Sequence, residues 1–302
     1  MRMRGSRRSF VSSTLVALLF AHILHAAPPN VSRADEALHK ALRGTSAVAV
    51  VLDEASGQLL TAENPHDAAT LRSTPGSILK PLFLASALES GAITPDTTVY
   101  CRRDLHILDH NLACSHPQNN VAFDAENALA YSCNTYFAQL ASHFSPRQAT
   151  QVIRDYNLQL PTGLFPVEPA ADLRTPSSLA ETQLLVLGIA GVAVTPAQVA
   201  VAYRRLAIKL NDAKLAPALH GLQNSVNYGV AHNASVSGMN IVGKTGTASD
   251  RPHTWTHGWF AGIAGLPGGE VVIVVYVPRG NGADAARFAQ RFFLAYKEKP
   301  AR

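Results

Sequence analysis

Three short runs of this 302-residue chain carry side chains able to perform acyl transfer. The first is Ser77-Ile78-Leu79-Lys80. Residues three apart on a helix share a face, so the Ser77 hydroxyl and the Lys80 amine are expected to meet. A serine hydroxyl becomes a competent nucleophile once a neighbouring base takes its proton. Lysine can be that base only when neutral, and burial or a second nearby cation lowers its pKa. The second run, Ser132-Cys133-Asn134, offers a hydroxyl to relay protons between Lys80 and a leaving amine. Its carboxamide can hold a substrate amide or the Lys80 amine. The third, Lys244-Thr245-Gly246-Thr247, supplies a cation and a hydroxyl for a substrate carboxylate. Gly246, with no side chain, lets a peptide-like substrate lie against the strand. Each run alone is weak: Ser-x-x-Lys arises by chance in most chains of this size, and polar residues in Ala-rich helices are common.

The elements that must position these runs can be read from local pattern. Residues 46–53 and 58–62 form a predicted hairpin across the Ser56-Gly57 turn. Pro75-Gly76 then punctuates the chain, and 77–90 has helical composition, placing Ser77 near a helix N-terminus. Residues 95–120 are loop-like, 124–143 are predicted helical, and Ser145-Pro146 and Thr195-Pro196 open two more helices. Residues 160–178 are Pro-rich and irregular. Strands are predicted at 240–247, 258–265 and 270–277, with Pro267-Gly268-Gly269 turning between the last two, followed by a helix over 284–297. Strands at both ends around a helical middle imply one sheet assembled from both termini.

All three runs in this order form the signature of serine β-lactamases and penicillin-binding proteins. The likeness extends beyond them. Pro75-Gly76-Ser77-Ile78-Leu79-Lys80-Pro81 resembles the nucleophile segment of penicillin-binding transpeptidases, and Ser132-Cys133-Asn134-Thr135-Tyr136-Phe137 resembles their second-motif helix. Val194-Thr195-Pro196-Ala197-Gln198, Gly243 to Ala248 and Trp259-Phe260-Ala261-Gly262 resemble three further segments of the same family. Where that family often carries Gly-Gln-Gly, this chain has Gly188-Ile189-Ala190.

The resemblance implies a mixed α/β fold of the β-lactamase/transpeptidase kind: an antiparallel sheet with flanking helices plus a helical subdomain at about 85–235, within a transpeptidase domain at 45–297. It implies a D,D-transpeptidase acting on D-Ala-D-Ala stem peptides of peptidoglycan and acylated by penicillin. Ser77 is then the nucleophile, Lys80 its base, and Ser132 the proton relay, with Asn134 and Lys244 completing the catalytic set. Thr245, Gly246 and Thr247 bind substrate, and the backbone N–H groups of Ser77 and Thr247 form the oxyanion hole. Peptidoglycan stem peptides, β-lactams and cell-wall synthesis proteins are the implied partners, with no metal and no organic cofactor. A D,D-carboxypeptidase or class D-like β-lactamase is the alternative in which water replaces the amine. A non-catalytic sensor of penicillin or cell-wall peptide is the alternative from another class.

Composition agrees with a globular, exported protein. Hydrophobic residues make 47% of the chain and charged ones 16%, which excludes a disordered polymer. Arg2, Arg4, Arg7 and Arg8 precede an apolar stretch at 10–24, then Ala26-Ala27, the layout of a secretory signal at 1–27. Ser6 to Val11 also resembles a twin-arginine motif, and an uncleaved N-terminal anchor is the other possibility. Residues 28–44 read as a linker or leading helix. Without the first 27 residues the balance is 22 basic against 21 acidic, so nothing marks a nucleic-acid footprint. Export to an oxidising compartment makes a Cys101–Cys114 disulfide the expectation, leaving Cys133 over. No linear zinc spacing is present, and His253 and His257 lack the adjacent glutamate of a helical zinc pair.

Overall fold

The run Val48–Asp53 is apolar on both of its faces, which a strand tolerates only when both sides of its sheet are covered. The computed structural model, which describes residues 29–249 and 254–298, shows that arrangement. Five antiparallel strands lie in the order Leu59–Glu63, Val48–Asp53, Gly269–Val277, His257–Leu266, Ile241–Ala248. The expected hairpin and the three C-terminal strands are all present, and Val48 pairs with Tyr276 at the join between the two ends of the chain. The signal-like segment at 1–27 and His253 lie outside the described residues.

Alternation sorts the strand residues between two apolar layers. Ala49, Val51, Phe260, Ile273 and Val275 face the helices Pro29–Leu42 and Gly282–Lys297, where they meet Leu38, Phe292 and Phe293. Val48, Val50, Leu52, Trp259, Val272 and Val274 face the other way, toward Ile78, Leu79, Val199 and Tyr203. That second layer runs on into the helical middle through Phe83, Leu129 and Phe137, so the nucleophile segment lies between sheet and helices. Among the described residues no helix is long and apolar enough to cross a membrane.

Two predicted helices differ in detail. The segment at 77–90 starts as a 3-10 turn, Gly76–Leu79, and becomes α-helical only at Lys80–Glu89. The segment at 124–143 is broken into Ala125–Ala130 and Asn134–Leu140, because Ser132 takes a left-handed φ of 58° that no α-helix accommodates. The two Pro-initiated helices form as expected, Pro146–Asp155 and Pro196–Lys209, each with a capping box, Ser145/Gln148 and Thr195/Gln198. Helices at Leu179–Val186 and Ala216–Asn227 have no clear periodic signal in the sequence and are set by packing.

Phe292 has no solvent exposure and anchors the C-terminal helix on the sheet. Phe292→Ala should lower stability by about 3–5 kcal/mol through lost burial and a residual cavity. Urea unfolding followed by circular dichroism should show the lower midpoint.

Candidate active site

The nucleophile turn is held by backbone packed on backbone. Gly76 takes a φ of +58°, and a Cβ there would lie 3.0 Å from the Thr247 carbonyl oxygen. Gly188, at φ +68°, accepts a hydrogen bond from Gly76 N at 2.9 Å, and a Cβ on it would lie 2.2 Å from Gly76 O. A Cβ at Gly246 would lie 2.6 Å from Pro75 O. Three glycines therefore let the turn, the edge strand Ile241–Ala248 and the loop at 187–191 touch directly. Side chains secure the approach: Trp259 Nε1 and His257 Nε2 donate to Thr74 O at 3.0 and 2.7 Å, and the Ser73 and Tyr276 hydroxyls are 2.8 Å apart. Past the nucleophile, the Tyr203 hydroxyl donates to Ile78 O at 2.9 Å. Ser77, half-buried, sits at the centre of this frame.

Lys80 has no solvent exposure. Its Nζ donates to Asn134 Oδ1 at 2.6 Å, to Ser132 O at 2.8 Å and to Ser132 Oγ at 3.2 Å, and it stands 5.2 Å from the Phe137 ring centre. Ser132 can present its carbonyl and hydroxyl to the same cation because of its left-handed backbone, a conformation costing about 1–2 kcal/mol for a non-glycine residue. Asn134 is fixed in turn by Nδ2 donating to Leu112 O at 2.9 Å. The first two sequence runs thus converge on the Lys80 ammonium. Among the described residues the Lys80 side chain bonds to the Ser132–Asn134 turn, while its backbone N–H donates to Ser77 O.

Lys244 is also wholly buried, with Nζ donating to Thr245 O at 3.0 Å. Burial first, and the Lys80 charge second, hold it well below the ordinary lysine value. Burial brings Lys80 down to about 8, against a smaller upward push from the neighbouring Cys133 and Cys114. Two like charges in one dry site titrate as a pair, so at least one is readily discharged.

Alternation along the edge strand separates the third run. Lys244 and Gly246 share the face of Val242, toward the nucleophile turn. Thr245 and Thr247 take the face of the C-terminal helix, so neighbouring Lys244 and Thr245 leave the strand on opposite faces. The Thr245 hydroxyl donates to Val230 O at 3.2 Å, and its Cβ would be 2.7 Å from a Cβ on Gly282. Thr247 is exposed and its hydroxyl accepts from Gly282 N at 2.9 Å, so its own proton is left to give. A cleft of about 590 Å³ opens at this end of the strand, lined by Thr74, Asn111, Leu112, Ile189, Thr247 and Thr256 among others.

Residues 47–295 match the family model described as the penicillin binding protein transpeptidase domain. The chain belongs to that family. Penicillin-binding transpeptidases are serine acyltransferases of peptidoglycan cross-linking, and the mixed α/β fold with its antiparallel sheet is theirs. Among solved structures, the chain is similar to the apo TP domain of Burkholderia pseudomallei penicillin-binding protein 3, at 22% identity over 88% of this chain and 92% of that one, TM-score 0.76. It is similar to a peptidoglycan glycosyltransferase from Burkholderia ambifaria, at 21% identity over 88% and 93%, TM-score 0.75. It is also similar to PBP2 in the Helicobacter pylori complex with MreC, at 18% identity over 87% and 62%, TM-score 0.75. No curated protein matches the chain.

Several positioning residues of this transpeptidase domain escape sequence reasoning. Gly188 survives from the family's glycine-rich loop, and its role is the contact on Gly76. His257 is a strand-initial residue by pattern, yet it is buried on Thr74 O. Leu112 O, which orients Asn134, carries no side-chain signal at all.

Two outcomes follow. If Lys80 must be neutral to accept the Ser77 proton, acylation by a fluorescent penicillin should rise about tenfold per pH unit below 8 and level off above it. Lys80→Met should remove nearly all of that rate; stopped-flow labelling from pH 5 to 10 gives the profile. Gly188→Ala should push the nucleophile turn out of place and slow acylation by about a hundredfold, because geometry near 1 Å governs such steps. Circular dichroism on the same sample separates this loss from unfolding.

Proposed function

We propose that this chain is an exported serine D,D-transpeptidase that cross-links D-Ala-D-Ala stem peptides of peptidoglycan. The observation that carries the reading is the convergence of Lys80, one turn after Ser77, on Ser132 and Asn134, with buried Lys244 on the neighbouring strand. Ser77 Oγ attacks the carbonyl of the penultimate D-Ala as Lys80 accepts its proton. Neutral Lys80 holds its Ser132 and Asn134 acceptors less strongly than the ammonium does, takes the Ser77 proton, and passes it to the Ser132 oxygen as that hydroxyl gives up its own. The Ser132 hydroxyl then delivers a proton to the departing D-Ala amine. Backbone N–H groups of Ser77 and Thr247 receive the oxyanion, a term worth about 3 kcal/mol per donor. Lys244 and the free hydroxyl proton of Thr247 hold the terminal carboxylate, with Gly246 leaving room for the peptide. An amine from a second stem peptide resolves the acyl-enzyme. The Helicobacter pylori PBP2 likeness suggests a cell-wall synthesis protein as partner.

The test uses a donor stem peptide ending in D-Ala-D-Ala, with and without an amine acceptor. Wild-type chain should release D-Ala and form the cross-linked product. Mass spectrometry should place a penicillin adduct on Ser77 and find none in Ser77→Ala. Release of D-Ala without cross-linking would make the chain a carboxypeptidase, and rapid penicillin turnover would make it a β-lactamase. Stable acylation with neither reaction would make it a sensor.

A further inference from the structure

Behind the Ser132–Asn134 turn lies a cluster that linear spacing conceals. Cys101 ends the short strand Val99–Cys101, Cys114 and His116 follow from the next loop, and Cys133 caps the helix Asn134–Leu140. The expected Cys101–Cys114 disulfide is not formed, and all three thiols are free. All four side chains are buried, with their ligand atoms within 4.8 Å of one another. Cys101 Sγ is 3.7 Å from Cys114 Sγ and 3.5 Å from His116 Nε2, and Cys114 Sγ is 3.9 Å from Cys133 Sγ. Tetrahedral zinc with Zn–S bonds near 2.3 Å and Zn–N near 2.0 Å sets its sulfurs about 3.8 Å apart and sulfur from nitrogen about 3.5 Å. These three separations match the edges of that tetrahedron. The geometry points to one structural zinc ion bound by Cys101, Cys114, His116 and Cys133.

Two further observations point to the same ligand. His116 is only 3% exposed, its Nε2 meets the Cys101 sulfur, and its Nδ1 has no hydrogen-bond partner among the described residues. A buried imidazole whose Nε2 faces sulfur instead of an oxygen or nitrogen acceptor gains a strong partner from a metal bond at that nitrogen. The sulfurs, meanwhile, receive the donors that metal thiolates require. Arg103 N donates to Cys101 Sγ at 3.3 Å, Asn134 N donates to Cys114 Sγ at 3.1 Å, and the Thr135 hydroxyl is 3.3 Å from Cys101 Sγ.

A disulfide is the competing chemistry. It would draw Cys101 and Cys114 to about 2.05 Å and leave Cys133 and His116 with no role. Zinc engages all four groups. Three soft thiolates and an imidazole select it over hard cations, and four protein ligands close the site to substrate. Binding releases three thiol protons to solvent with no change of oxidation state. The ion would tie the loop bearing Leu112 to the start of the Asn134 helix, and so hold Asn134 against Lys80.

The full chain, purified without chelator from zinc-supplemented cells, should contain about one zinc per molecule by elemental analysis, falling at least about fivefold in Cys114→Ser and His116→Asn. Exchange of wild type into cobalt should give the ligand-field and sulfur-to-metal absorption bands of a tetrahedral thiolate site. This second readout needs no variant to fold. Folded wild type that holds no zinc and takes up no cobalt overturns the site, whether its thiols prove free or Cys101 is disulfide-bonded to Cys114. Zinc retained undiminished by both variants overturns the ligand assignment. Metal content is measured without any acyl transfer, so failure here is distinct from failure of the transpeptidase reading.

Discussion

Two buried lysines share one site, and most of the surrounding structure answers to that fact. An ammonium group taken out of water must be paired, hydrogen-bonded or discharged. Lys80 is met by three oxygens from a single turn, and Lys244 by one backbone carbonyl. No carboxylate hydrogen-bonds either lysine among the described residues, so the site keeps a positive charge that is costly in the resting protein. The broken helix at Ser132 belongs to the same economy: regular helix there would turn the Ser132 carbonyl away from Lys80.

The sheet contributes precision more than chemistry. Its edge strand brings Lys244 and Gly246 to the nucleophile turn and presents Thr245 and Thr247 to the C-terminal helix. Contacts at Gly76, Gly188 and Gly246 leave no side chain between the elements, so the turn has nowhere to relax. Trp259, His257 and Tyr276 extend the same restraint from the middle of the sheet to Ser73 and Thr74.

Much of this was legible beforehand. Apolar runs bounded by Gly and Pro gave away the strands, and Ser145-Pro146 and Thr195-Pro196 announced helices by a mechanism, the cap followed by proline. The family was legible through motif order. What stayed hidden depends on non-local packing. Helical composition over 124–143 does not reveal that Ser132 abandons the helix to serve Lys80. Lys244 and Thr245 are neighbours in sequence, and what covers each of their opposite faces is decided by packing. Cys101, Cys114, His116 and Cys133 are spread over three elements, and only the folded chain gathers them.

The pairing of Val48 with Tyr276 joins residues 228 positions apart, and every strand that carries Lys244 inward depends on that late closure. Non-local pairing of this kind forms slowly compared with local helix formation. Ser77 and Ser132 leave the ribosome long before the edge strand exists, so a partly made chain has the nucleophile but neither the second lysine nor the wall that aligns it. The buried lysine pair is completed only when the C-terminal strands are in place, and chains truncated before residue 269 lack the central strand that joins the two ends of the chain.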